Sequence, residues 1–156
     1  MPVSGFTVMS FVKFSRTGNT VAMTCGSGTT PMYSFKEKAG IITFQTDTTS
    51  LTATNIKLGK WYHLLATVDS TTASSSGCYF YVDGSLASYN STITSFPSIT
   101  DGRIVFGKEL NLTSSGLTGC VGMTRIINRT FSRSEILHNY FSTITPMVEI
   151  DSIRIG

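Results

Sequence analysis

Trp61-Tyr62-His63-Leu64-Leu65-Ala66-Thr67-Val68-Asp69, followed by Cys78-Tyr79-Phe80-Tyr81-Val82-Asp83-Gly84-Ser85-Leu86-Ala87, is the stretch on which the fold turns. Both runs are rich in aromatic and β-branched residues and bounded by turn residues, the pattern of strands. Asp83-Gly84 is the dipeptide that tolerates positive φ at both central positions of a type I′ turn, so Cys78–Val82 and Ser85–Tyr89 read as a hairpin. In the first of these strands Phe80 and Val82 point one way and Tyr79 and Tyr81 the other.

Outward from that hairpin the same period recurs. Phe6–Phe14 alternates Phe6, Val8, Ser10, Val12 and Phe14 on one face with Thr7, Met9, Phe11 and Lys13 on the other. Both faces are largely apolar, as in a central strand. Further strands are expected at Thr20–Cys25, Met32–Lys36, Gly40–Thr46, Arg103–Phe106, Leu117–Ile127 and Val148–Ile155. Gly26–Pro31 and Ser70–Gly77 are runs of small polar residues and read as exposed loops. One helix is expected. Ser132 and Glu135 make a capping box, Ile136, Leu137, Tyr140 and Phe141 share a face, and Pro146 stands beyond its expected end. The fold class is all-β: a jelly-roll sandwich of two antiparallel sheets with one short helix near the C-terminus, in a single domain over residues 1–156.

Composition narrows the function. Only 13% of the 156 residues are charged, about half the usual share, while 21 serines and 24 threonines supply hydroxyls. The apolar content of 40% with 17 aromatic residues argues for a packed core rather than disorder. No apolar run is long enough to span a bilayer as a helix, so membrane insertion is not expected. The 12 lysines and arginines are scattered singly, without the basic stripe that phosphate neutralisation requires, so nucleic acid is not an expected partner. Cys25, Cys78 and Cys120 lack metal-ligand spacing and read as small buried apolar residues. The first residues show no signal-peptide pattern. Asn90, Asn111 and Asn128 open sequons, a number that chance alone would give in so hydroxyl-rich a chain.

Four blocks in order carry a resemblance: Phe6–Lys13, Trp61–Asp69, Phe80–Gly84 with Arg103–Gly107, and Gly119–Ser132 with Glu135-Ile136. They resemble the laminin-G-like and pentraxin-like branch of the concanavalin A-like lectin/glucanase superfamily over about Phe6 to Tyr140. The resemblance implies the jelly roll, which hosts lectins, adhesion modules, enzymes and structural domains alike. Gly122 stands where the family commonly has Asp.

The glucanase members carry paired strand carboxylates, because glycoside hydrolysis needs an acid and a carboxylate across the scissile bond. Glu149-Ile150-Asp151 begins like that motif, but Ile153 and Arg154 stand where the second glutamate belongs, so no enzyme is expected. His63 and His138 have no nucleophile nearby in sequence and read as structural. The relatives' calcium sites make Asp69 and Asp101 the candidate calcium ligands, weighed against solvated loop residues, since such a cation wants more than one carboxylate among six to eight oxygens. For glycan binding the chemistry is an aromatic face beside hydroxyls and amides. Tyr79 and Tyr81 are the candidate face, with Tyr33, Tyr89, Asn90 and Phe96 near loop edges; the alternative is that the two strand tyrosines pack under the helix, and the lone Trp61 reads as core.

Two functions remain. One is a non-catalytic recognition module for glycan or glycoprotein. The other is a structural or assembly domain of a virus or phage particle, a decoration, spike or fibre protein that packs against copies of itself or other particle proteins. Either places the chain outside the cell or on a virion surface.

Overall fold

The computed structural model describes residues 5–27, 30–69, 77–91, 102–110 and 116–153, with the backbone alone for 30 and 145–153. Ten strands and one helix follow in chain order: β1 (Gly5–Phe14), β2 (Thr20–Ser27), β3 (Thr30–Lys38), β4 (Ile41–Thr46), β5 (Ser50–Ala53), β6 (Trp61–Asp69), β7 (Gly77–Val82), β8 (Ser85–Asn90), β9 (Gly102–Phe106), β10 (Gly119–Ile127) and α1 (Arg133–Ile153). They form two five-stranded antiparallel sheets, β10-β1-β6-β7-β8 and β5-β4-β3-β2-β9, in a jelly-roll sandwich.

β1 lies between β10 and β6, with Met9 opposite Arg125 on one side and Leu65 on the other. Its two apolar faces are explained by two separate cores. Val8, Val12 and Phe14 join Phe35, Phe44, Leu64 and Phe80 between the sheets. Met9 joins Leu65, Tyr81 and Ile136 on the opposite side, where α1 covers the first sheet. The inter-sheet aromatic centre is Phe80, with ring centroids 5.9 Å from Phe35 and 6.3 Å from Phe44.

The helix begins as its residues dictate. The Ser132 backbone N–H donates to Glu135 Oε2 at 2.8 Å, the Glu135 N–H donates back to Ser132 Oγ at 3.4 Å, and Arg129 pairs with the same carboxylate at 2.6 Å. Arg129 and the cap together hold the Glu135 carboxyl down at about 2. Ile136 is fully buried and Tyr140 lies against His63, whereas Phe141 is exposed.

Three expectations are corrected. Residues 148–153 are helical, so over them the expected strand at Val148–Ile155 does not form: alternation over so few residues does not by itself specify a strand. α1 therefore is not short and runs through Pro146; the pyrrolidine removes one donor, but its fixed φ is close to that of a helix. Gly26–Pro31 is not simply a loop, because β2 continues to Ser27 and β3 starts at Thr30. The strand β5 had no expectation at all, since Ser50-Leu51-Thr52-Ala53 is a four-residue alternation.

The Asp83-Gly84 turn has φ of 51° and 75°, as type I′ demands. It also seats the helix: a Cβ on Gly84 would lie 3.0 Å from Tyr140 Cδ1 and 3.3 Å from Leu137 Cδ2. Gly84→Ala is expected to lower stability by about 1–2 kcal/mol from the left-handed backbone, measured by urea unfolding. In a Tyr140→Ala background the steric part should disappear and the backbone part remain. An unchanged midpoint for Gly84→Ala would contradict both.

Candidate functional site

The structure separates the expected aromatic residues. Tyr33 is 2% exposed between the sheets, its ring 5.1 Å from Phe6, and burial pushes its hydroxyl above the ordinary tyrosine range. Read as a residue near a loop edge, it sits instead on β3 opposite Cys25, out of reach of a surface ligand. Tyr81, 9% exposed, packs under Ile136 of the helix. Tyr79 is half-buried and stacks on Tyr89 with centroids 6.1 Å apart and planes 14° off parallel; Tyr89 is 61% exposed. Asn90, next along β8, turns to the other face, and its Nδ2 donates to Thr49 Oγ1 at 3.3 Å. So Tyr79 and Tyr89 come together on the outer surface of the β7–β8 hairpin, and Tyr33, Tyr81 and Asn90 do not join them.

Trp61 is only partly buried, stacked on Phe11 at 4.9 Å and 5° with Lys13 Nζ 5.3 Å from its centroid. Cys25 and Cys78 are buried as expected, but Cys120 is exposed on the edge strand β10. His63 is 1% exposed beneath the helix with neither ring nitrogen hydrogen-bonded, and His138 is exposed on α1.

Asp69 ends β6, paired in the ladders with Gly5 and Gly77, while Asp101 and Phe96 lie outside the described residues. Among the described residues no three of His, Cys, Asp and Glu come together. Glu149-Ile150-Asp151 falls in α1, where the strand premise of the glucanase motif does not hold.

A groove of about 500 Å³ runs along the seam where β5 of one sheet faces β8 of the other. β5 and the loop after it supply Thr52, Thr54, Asn55 and Lys57, the loop's end supplies Lys60, Tyr62 lies beneath, and Ser85 and Leu86 form the far wall. The loop is fixed at several points. The Tyr62 hydroxyl accepts the Lys57 N–H at 2.7 Å and donates to its carbonyl at 3.3 Å; the Ile56 N–H reaches Gly40 O at 3.2 Å and the Gly59 N–H reaches Phe14 O at 2.8 Å. Asn55 and Gly59 take the positive φ values of 64° and 78° that this path needs. Lys60 Nζ pairs with Asp83 Oδ2 at 2.8 Å and sits 4.7 Å over the Tyr62 ring, and the Asp83 hydrogen bond raises its pKa. The only sequence signal for the groove was the polar run Thr54-Asn55-Ile56-Lys57 before Trp61, which by itself reads as a turn.

At the opposite seam the edge strands are more open. Ile104 and Phe106 on β9 and Met123 and Ile126 on β10 are exposed, although Ile104 stands opposite core residue Cys25 and Ile126 opposite Val8. Among the described residues no helix is long and apolar enough to cross a membrane.

No curated protein matches the chain by sequence. By structure it is similar to the receptor-binding domain of botulinum neurotoxin type G, with TM-score 0.66 and 16% identity over 90% of this chain and 38% of that one. It is also similar to a heptameric SAP-like pentraxin from Limulus polyphemus, with TM-score 0.65 and 15% identity over 86% and 69% of the two chains. A Trypanosoma rangeli sialidase aligns with TM-score 0.68 and 18% identity over 90% of this chain but 23% of the enzyme. The chain thus spans well under half of the toxin domain and of the sialidase, and at these identities the likeness is one of fold. The family model for laminin-G-like domains, described as the concanavalin A-like lectin/glucanases superfamily, matches residues 1–137, and the chain belongs to that family.

Proposed function

We propose that this chain is one non-catalytic recognition domain whose partner is a glycan or glycoprotein, acting outside the cell or on a virion surface. The observation that carries the reading is the β5–β8 groove: hydroxyls, a carboxamide and two ammonium groups converge there on a loop whose backbone is already fixed. Fixed polar groups around a saccharide-sized depression lower the ordering cost of binding a hydroxyl-rich ligand. Outside the groove, on the outer face of the β7–β8 hairpin, the exposed Tyr89 stacked on Tyr79 offers a separate aromatic face of the kind on which sugar rings stack.

A glycan array followed by calorimetry tests this. Asn55→Gly keeps the positive φ while removing the carboxamide, so the fold should be retained and affinity for the array's best ligand should fall about tenfold, the worth of one or two lost hydrogen bonds. An array with no binder, or a binder insensitive to Asn55→Gly and Tyr89→Ala alike, would overturn the reading.

A second reading, assembly with copies of itself, is favoured by the exposed apolar residues of the β9 and β10 edges. If it holds, sedimentation velocity should show oligomers that Ile126→Lys dissolves. A chain monomeric at high concentration would remove it.

A further inference from the structure

We infer that the ligand of the β5–β8 groove is an anionic saccharide, its carboxylate or sulfate held between Lys57 and Lys60. This rests on the recognition reading above and narrows its ligand class. The groove's lining contains two lysines and no aspartate or glutamate.

The two ammonium groups play different parts. Lys60 is positioned: its ion pair with Asp83 and its place over the Tyr62 ring fix the head group, and of its three N–H donors only one is directed at Asp83 Oδ2. Asp83 is itself engaged by the His63 N–H at 2.9 Å as well as by Lys60, and it does not line the groove. Lys57 has no ion-pair partner among the described residues and is exposed, yet its backbone is tied on both sides by the Tyr62 hydroxyl. A cation with a fixed root and an unpaired head is arranged to close on an anion. The Thr52 hydroxyl and the Asn55 carboxamide, whose Nδ2 donates only a long 3.4 Å bond to Thr54 Oγ1, face the ligand's neutral hydroxyls. Both lysines are solvent-facing, so their attraction should be screened by salt.

Calorimetry on the full chain decides it, with three oligosaccharides of equal length at 50 and 300 mM salt: an oligogalacturonate, a sulfated galactan fragment and a neutral galactan fragment. One charged arm should bind at least tenfold more tightly than the neutral arm and weaken with salt, and whichever does so names the carboxylate or the sulfate. Lys57→Gln should lose about tenfold for that ligand and reduce its salt dependence, while Lys57→Arg retains binding. Equal binding of all three overturns the anionic inference but leaves glycan recognition standing. A charge preference unmoved by Lys57→Gln overturns the placement in this groove. No binding in any arm, with a blank glycan array, overturns both.

Discussion

Glu37→Leu is expected to destabilise the protein by about 3 kcal/mol, a large fraction of the 5–15 kcal/mol typical of a domain. Glu37 is completely buried at the end of β3, and both its carboxylate oxygens are occupied. Oε2 accepts the Gly18 backbone N–H at 3.1 Å and the Thr20 hydroxyl at 3.3 Å, while Oε1 accepts the Gly40 N–H at 2.8 Å. One side chain thus ties the β1–β2 connection to the β3–β4 turn, where Ala39 and Gly40 both take positive φ. Leucine fills similar volume but strands three donors, and each stranded donor costs about 1 kcal/mol or more. Glu37→Gln keeps one acceptor oxygen and should lie between the two. The measurement is urea unfolding at pH 7. A Leu variant within about 1 kcal/mol of the parent would mean that water or neighbouring groups satisfy those donors without the carboxylate.

What was legible in the sequence was what local chemistry decides. Asp83-Gly84 specified its own turn, Ser132 and Glu135 their own cap, and the two apolar faces of Phe6–Phe14 announced a strand buried on both sides. What was not legible depended on distant partners. β5 is a strand only because the edge of β4 is there to pair it, and residues 148–153 continue the helix that begins after the Ser132 cap. Tyr79 and Tyr81 were correctly assigned to one face, but which of them a ligand can reach depends on where Ile136 docks. The abundance of hydroxyls read as a polar surface, yet Thr7, Ser10, Thr20, Thr24, Ser34, Thr49 and Thr67 are buried. Some of them cross-link strands: Thr7 Oγ1 donates to Thr67 Oγ1 at 3.2 Å, and Ser10 meets Thr124 at 2.9 Å. The groove left no more trace in the sequence than the turn at 54–57, because it exists only where the edges of two sheets approach each other.

Stability is expected to fall by roughly 3 kcal/mol as pH drops from 7 to 4, through one residue, His63. His63, read from the sequence as structural, is buried at the β6–α1 interface, both ring nitrogens are without hydrogen-bond partners, and its ring centroid is 5.9 Å from that of Tyr140. Burial lowers its pKa from 6.5 to about 4, while the charge of Asp83 pulls weakly the other way. A base whose folded pKa is depressed binds fewer protons folded than unfolded between those two values, so stability rises with pH across that window. Above pH 6.5 both states are neutral at this site and the contribution is flat; below about pH 4 both are protonated and the loss is complete. His63→Leu removes the titration and keeps an apolar contact with Tyr140. The carboxylates contribute to both proteins: Glu135, whose folded pKa is lowered, loses its contribution as pH falls below 4.5 towards about 2, in parent and variant alike. The difference between parent and His63→Leu in guanidinium unfolding therefore isolates the histidine, and the variant should gain on the parent by about that amount between pH 7 and pH 4. A difference that does not change with pH would mean that protonated His63 finds a partner in the folded state. Because the residues His63 supports are those that seat α1 over Met9, Leu65 and Tyr81, the acid-induced loss should appear first as exposure of that second core. Hydrogen exchange of the α1 amides should report it ahead of the β3 and β4 amides around the inter-sheet core.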